Sequence, residues 1–191
     1  MNDQGSPVLY AIVTGSPAAG DVGTLVDLAQ ADGWDVCVVA SPYGRRFIDV
    51  DALEGKTGHP VRNEYKAPDE PDVLPPADAM IVAPLTGNSL AKWAVGISDT
   101  LPLGLLVEGV GKRLPIVAVP YSNDAQLGFP PLQKAMRSLS GWGVTVLAGD
   151  DTQQAHEPGD GADHRRQFPW GRAWAAVAEH PWLAADLRRA R

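Results

Sequence analysis

The chain has 191 residues, of which 45% are apolar and 20% charged, and a formal net charge of −7. That length fits one domain with at most a short appendage, and at this size a core forms without disulfide or metal staples. The negative balance excludes a general binder of nucleic-acid backbones, because such affinity rests on Lys and Arg. It still leaves room for a local basic pocket. The single cysteine, Cys37, excludes an internal disulfide and a cysteine-built zinc site, and its place inside an apolar run marks it as a buried strand residue. Met1 to Pro7 carries no basic segment leading into an apolar stretch, and no run of 18 apolar residues exists. The expectation is a cytoplasmic protein that binds neither membrane nor nucleic acid.

Residues 8–13 are continuously apolar and end at Thr14-Gly15, as suits a central parallel strand buried on both faces. Residues 20–31 place Val22, Leu25, Val26 and Ala29 at helical spacing, and Gly33 closes the segment. A second buried strand is expected over 35–40 and a helix over 43–53, with Phe47 and Val50 on one side. Gly58-His59-Pro60 reads as a turn, residues 61–65 as a short strand, and the proline- and acid-rich residues 66–76 as a loop. Strands are then expected at 79–83, 115–119 and 144–147, and helices at 88–97, 101–110 and 131–139. Residues 149–167 are polar and read as a mobile flap. Residues 171–189 have a helical pattern that Pro181 interrupts.

Apolar strands that alternate with helices demand a parallel sheet covered on both faces: a doubly wound, Rossmann-like or flavodoxin-like three-layer α/β/α fold. Ligands in such sheets bind beyond the carboxyl ends of the strands. The first strand runs into Thr14-Gly15-Ser16-Pro17-Ala18-Ala19-Gly20. A glycine and a hydroxyl ahead of a helix N-terminus make a seat for phosphate, with free N–H groups and the helix dipole drawing the anion. The same residues also serve as an ordinary βα turn with a serine cap. They do not form G-x-G-x-x-G. The second strand ends in Ser41-Pro42-Tyr43-Gly44-Arg45-Arg46-Phe47, where hydroxyl and aromatic suit a planar ring or a helix cap with a core Phe. The strand at 79–83 ends in Pro84-Leu85-Thr86-Gly87-Asn88-Ser89. Its small and hydroxyl residues let a flat cofactor approach the backbone, and Asn88 both donates and accepts. Asn123, in Pro120-Tyr121-Ser122-Asn123, is a second amide at the same edge.

In that order and spacing the segments resemble the homo-oligomeric flavin-containing cysteine decarboxylases, which include phosphopantothenoylcysteine decarboxylases and lantibiotic-peptide cysteine decarboxylases. The loop from Thr14 to Ala19 is similar to their phosphate loop. Residues 84–89 match their Pro-Ala-Ser-Ala-Asn-Thr motif, and residues 120–123 their Pro-x-Met-Asn motif. The helix carrying Lys92, Gly96 and Asp99 also fits. The resemblance spans about residues 8–147.

It implies FMN as cofactor. Gly15, Ser16 and Ala18 would hold its phosphate. Ser41, Phe47, Pro84, Thr86, Asn88 and Ser89 would surround the ring, and Asp99 would border it. Asn88 and Asn123 would hold the substrate carboxylate as the catalytic pair. It further implies a flavoprotein domain over 1–148, the flap over 149–167 and a helical segment over 168–191. The assembly would be a homotrimer or a multiple of one, with flavin between subunits. The reaction would be oxidative decarboxylation of a cysteine-like carboxyl terminus on a peptide or small molecule; no metal is implied.

Three departures stand out. Glu70 occupies the position of the family's catalytic histidine, while His59 reads as a turn residue. Ser122 replaces the motif methionine. The flap lacks the cysteine of the pantothenate-pathway enzymes and carries His156 and His164. A flavin-binding or regulatory protein without the chemistry, an FMN prenyltransferase-like enzyme and an unrelated flavin reductase are the alternatives.

Overall fold

The computed structural model of the chain describes residues 6–67, 69–148 and 167–180. Five parallel strands, β1 (Val8–Val13), β2 (Asp35–Ala40), β3 (Ala79–Leu85), β4 (Ile116–Pro120) and β5 (Thr145–Val146), lie in the order β2-β1-β3-β4-β5. The order reverses direction between β1 and β3, which is the switch point where doubly wound sheets open a crevice.

β1 to β4 are buried on both faces, and alternate residues enter different cores. Leu9, Ala11 and Val13 pack on the face covered by α1 (Gly23–Ala31), α2 (Val50–Thr57) and α7 (Trp170–Ala178). Tyr10 and Ile12 pack on the other face, under α3 (Gly87–Ala94), α4 (Leu101–Gly111) and α6 (Pro130–Gly141). This two-sided burial is why the strands read as unbroken apolar runs. Cys37 is fully buried, and burial, with a lesser contribution from Asp35, pushes its thiol up to about 12. It is not a nucleophile.

Two expected elements take a different form. Instead of one helix over 43–53, Gly44–Phe47 is a single 3-10 turn, Ile48 is extended, and α2 starts afresh where the Asp49 carboxylate accepts from Ala52 N at 3.1 Å. The capping preference of Asp49 outweighs the apolar spacing of Phe47 and Val50. The expected strand over 61–65 reduces to one bridge between Val39 and Arg62. A four-residue helix, α5 (Asp124–Leu127), follows β4 where no element was expected. Of the helix expected over 171–189, α7 covers Trp170–Ala178 and ends before Glu179 and His180. Pro181, and the flap expected over 149–167 apart from Gln167, with His156 and His164, lie outside the described residues. The α7 helix is anchored to the α1 end by Trp174, whose indole donates to Asp32 Oδ2 at 2.7 Å and meets Trp34 edge-on at 5.5 Å.

Candidate functional site

A solvent-open cleft of about 340 Å3 lies at the carboxyl ends of β1, β2 and β3, on the α3 and α4 side of the sheet. Gly15, Ser41, Thr86, Asn88 and Ser89, all expected at the site, line it. Three separate strand ends therefore converge, as a ligand at the switch point requires.

The cleft is built by side-chain to backbone bonds. Ser41 Oγ accepts from Gly44 N at 2.9 Å, which folds the chain back after β2 and presents Tyr43 to the cleft. Gly44 permits this turn, since a Cβ there would stand 2.8 Å from Val13 O and 3.0 Å from Ser41 Oγ. Thr14, 2% exposed, ties β1 to the end of β3. Its hydroxyl is shared between Pro84 O at 2.8 Å and Thr86 Oγ1 at 3.2 Å, and its oxygen accepts from Thr86 N at 2.8 Å. Thr86 in turn donates to Ser89 Oγ at 3.3 Å.

The remaining expected residues do not line the cleft. Ser16 is 4% exposed and caps the 3-10 turn Pro17–Asp21, accepting from Ala18 N at 3.4 Å; Ala18 is buried beside it. Phe47 is half-buried against the core, with its ring 6.0 Å from that of Tyr43. Pro84 lies within β3, behind a cis peptide from Ala83. Asp99 pairs with Lys92 at 2.5 Å. Asn123 caps α5, its Oδ1 accepting from Gln126 N at 2.9 Å, and its NH2 group has no partner among the described residues. Glu70 is exposed and bonds Ala67 N at 2.9 Å within its own loop. His59 closes its turn onto Asp35, with Nε2 at 2.8 and 3.0 Å from the two carboxylate oxygens.

Lys92, Tyr43, Thr100 and Leu103 also line the cleft. Lys92 had a signal in the sequence: it lies three and four residues after Ser89 and Asn88, and so shares their helix face. Among the described residues the lining holds hydroxyls, an amide and one cation, and no carboxylate, in a chain of net charge −7. A donor-rich, acid-free cleft suits an acceptor-rich and anionic ligand, and its size falls within the usual range of ligand pockets, roughly 300–1,000 Å3. FMN, with its carbonyl edge and phosphate, fits this donor set. Among the described residues no helix is long and apolar enough to cross a membrane.

Sheet order and cleft together define a doubly wound α/β protein of the flavodoxin-like kind, with a ligand crevice at the β1/β3 switch point. The Flavoprotein family model matches residues 2–163, and the chain belongs to that family. It is 30% identical over 148 residues to the coenzyme A biosynthesis bifunctional protein CoaBC of Thermococcus kodakarensis; the match takes in 75% of this chain and 36% of the relative. The chain thus spans about a third of the length of that curated relative. Among solved structures, the FMN binding protein AtHal3 superposes with a TM-score of 0.68 at 20% identity, over 91% of this chain and 95% of that one. The peptidyl-cysteine decarboxylase EpiD gives 0.68 at 21% identity, over 91% and 99%. A PPC decarboxylase complexed with pantothenoylaminoethenethiol gives 0.61 at 22% identity, over 74% and 81%. At these identities the likeness is one of fold.

Proposed function

We propose that this chain binds FMN in the β1/β3 cleft and uses it to decarboxylate a cysteine-like carboxyl terminus oxidatively. The observation that carries the reading is the acid-free, donor-rich lining of that cleft at the carboxyl ends of β1, β2 and β3. Membership of the Flavoprotein family, and similarity to an FMN binding protein, a peptidyl-cysteine decarboxylase and a PPC decarboxylase, support it.

In this reading the phosphate rests on the loop after β1, where Ser16 and the start of the 3-10 turn supply donors. Ser41, Thr86, Ser89 and Asn88 bond the polar edge of the ring, and Lys92 offsets negative charge there. The Asn88 amide and the free NH2 of Asn123 hold the substrate carboxylate as neutral donors. When bound, FMN would supply the two-electron oxidation of the thiol-bearing carbon, and the resulting thioaldehyde would lose carbon dioxide to give an ene-thiol. The protein orients the substrate and excludes water. A cytoplasmic setting keeps such thiols reduced.

The same reading gives a homotrimer or a multiple of one. Exposed Val95, Ile97 and Trp142 are apolar surface that self-association would cover, and light scattering reads the mass directly.

The position of Glu70 favours a second reading, flavin binding without decarboxylation, because this residue is spent on its own loop. Mass spectrometry of Cys-terminal peptides incubated with the FMN-loaded protein separates the two. Loss of carbon dioxide together with two hydrogens supports the first; unchanged peptides beside fully bound FMN support the second.

A further inference from the structure

Tyr43 is 60% exposed although it stands in the wall of the cleft. Among the described residues that line the cleft it is the one aromatic side chain. The bond from Gly44 N to Ser41 Oγ turns the chain after β2 and brings Tyr43 to the end of β1. There its ring packs on Gly15, where a Cβ would stand 2.7 Å from Tyr43 Cδ1. The Arg46 guanidinium lies over the ring, 5.0 Å from its centroid, and the Phe47 ring stands 6.0 Å away. These contacts hold the ring in place while most of the residue stays open. A large ring left open in the wall of a ligand-sized cleft is surface that a ligand would cover.

A planar ligand needs two kinds of contact, donors for its polar edge and a flat surface for its face. Thr86, Asn88 and Ser89, at the end of β3, offer hydroxyls and an amide but no flat surface. Tyr43, at the end of β2, offers the flat surface. We infer that Tyr43 is the stacking platform of the cleft, against which the flavin ring lies, with Arg46 as a positioning residue that holds the phenol ring by a cation–π contact. The inference deepens the proposal that FMN occupies this cleft and rests on it.

FMN titration of the apo-protein tests it on wild type, Tyr43→Phe and Tyr43→Leu, with flavin fluorescence as the readout and circular dichroism as the folding control. Tyr43 is exposed, so both variants should melt close to wild type. Tyr43→Leu removes the platform and should bind FMN roughly 5- to 10-fold more weakly, whereas Tyr43→Phe keeps the ring and should stay within about 2-fold. A stacked phenol donates an electron to excited flavin and quenches it. Bound FMN should therefore be dark in wild type and markedly brighter in both variants. Wild-type affinity and unchanged quenching in a folded Tyr43→Leu would overturn the inference. Equal losses of affinity in Tyr43→Phe and Tyr43→Leu would overturn it as well, because the hydroxyl and not the ring would then make the contact.

Nitration of the wild type by tetranitromethane needs no variant to fold. Tyr65, 56% exposed and outside the cleft lining, is the internal control. FMN should slow nitration of Tyr43 several-fold and leave Tyr65 unaffected, as mapped by peptide mass; equal rates at Tyr43 with and without bound FMN would overturn the inference. A wild-type protein that takes up no FMN would instead defeat the functional reading on which it rests.

Discussion

Lys92 and Asp99 meet end to end, Nζ to Oδ2 at 2.5 Å, with the lysine on the cleft wall and the carboxylate outside the lining. The pair aims the one cation of the cleft without placing an acid inside it. Both side chains are partly exposed, so the ion pair itself contributes only about 0–1 kcal/mol.

Lys92→Met should therefore barely alter thermal stability but weaken FMN binding by roughly 5- to 10-fold and flatten its salt dependence. Asp99→Asn frees the lysine without removing its charge and should cost less, about 2- to 3-fold. Titrations at low and high salt check both. Equal losses in the two variants would mean that Asp99, not Lys92, faces the ligand.

Asn88→Asp separates fold from function. It places a carboxylate at the second position of α3, where the helix dipole favours it by about 0.3–1 kcal/mol, yet it sets that charge in an otherwise acid-free cleft. The melting temperature should hold or rise while FMN binding weakens and any decarboxylation ends. Ser16→Ala should act differently. It removes a buried cap, costing about 0.5–2 kcal/mol, and the proposed bond to the phosphate, which should cost roughly 10- to 150-fold in affinity. The spectrum of whatever flavin remains should stay unchanged. Melting curves and titrations on both variants read these outcomes.

Much of this was legible in the residues. The bounds of β1 and β2 follow directly from two-sided apolar runs, and the order of strands and helices leads to the doubly wound sheet. The cleft positions Gly15, Ser41, Thr86, Asn88 and Ser89 follow because ligands gather at strand ends. What sequence spacing does not carry is which partner a hydroxyl chooses. Thr14 reads as the first residue of the loop after a strand, and only the pairing of β1 with β3 shows its hydroxyl bridging to Pro84 and Thr86, about 70 residues away. Phe47 matches a spacing, but the break at Asp49 turns its ring toward Tyr43 and the core. Tyr43 enters the lining because the bond from Gly44 N to Ser41 Oγ reverses the chain, and no periodicity reports such a turn.

Acid should act through His180, 2% exposed, whose Nε2 lies 3.1 Å from Gly143 O. Burial lowers its pKa, and the bond to Gly143 opposes this more weakly. The folded state thus holds the proton less well than the unfolded chain. The stability from the neutral ring is complete above about pH 6.5 and is lost as pH falls from there through the folded pKa. The melting temperature should drop between pH 7 and 5, and His180→Gln should flatten part of that drop. Parallel wild-type and variant curves would show that this histidine does not contribute.

The most direct test is uptake of FMN by the purified protein. Titration of the apo-form should saturate at one FMN per chain and give a yellow protein whose flavin bands are perturbed from those of free FMN, with release of FMN itself on denaturation. A folded, colourless protein that takes up no FMN on reconstitution would contradict the assignment of the β1/β3 cleft as a flavin site.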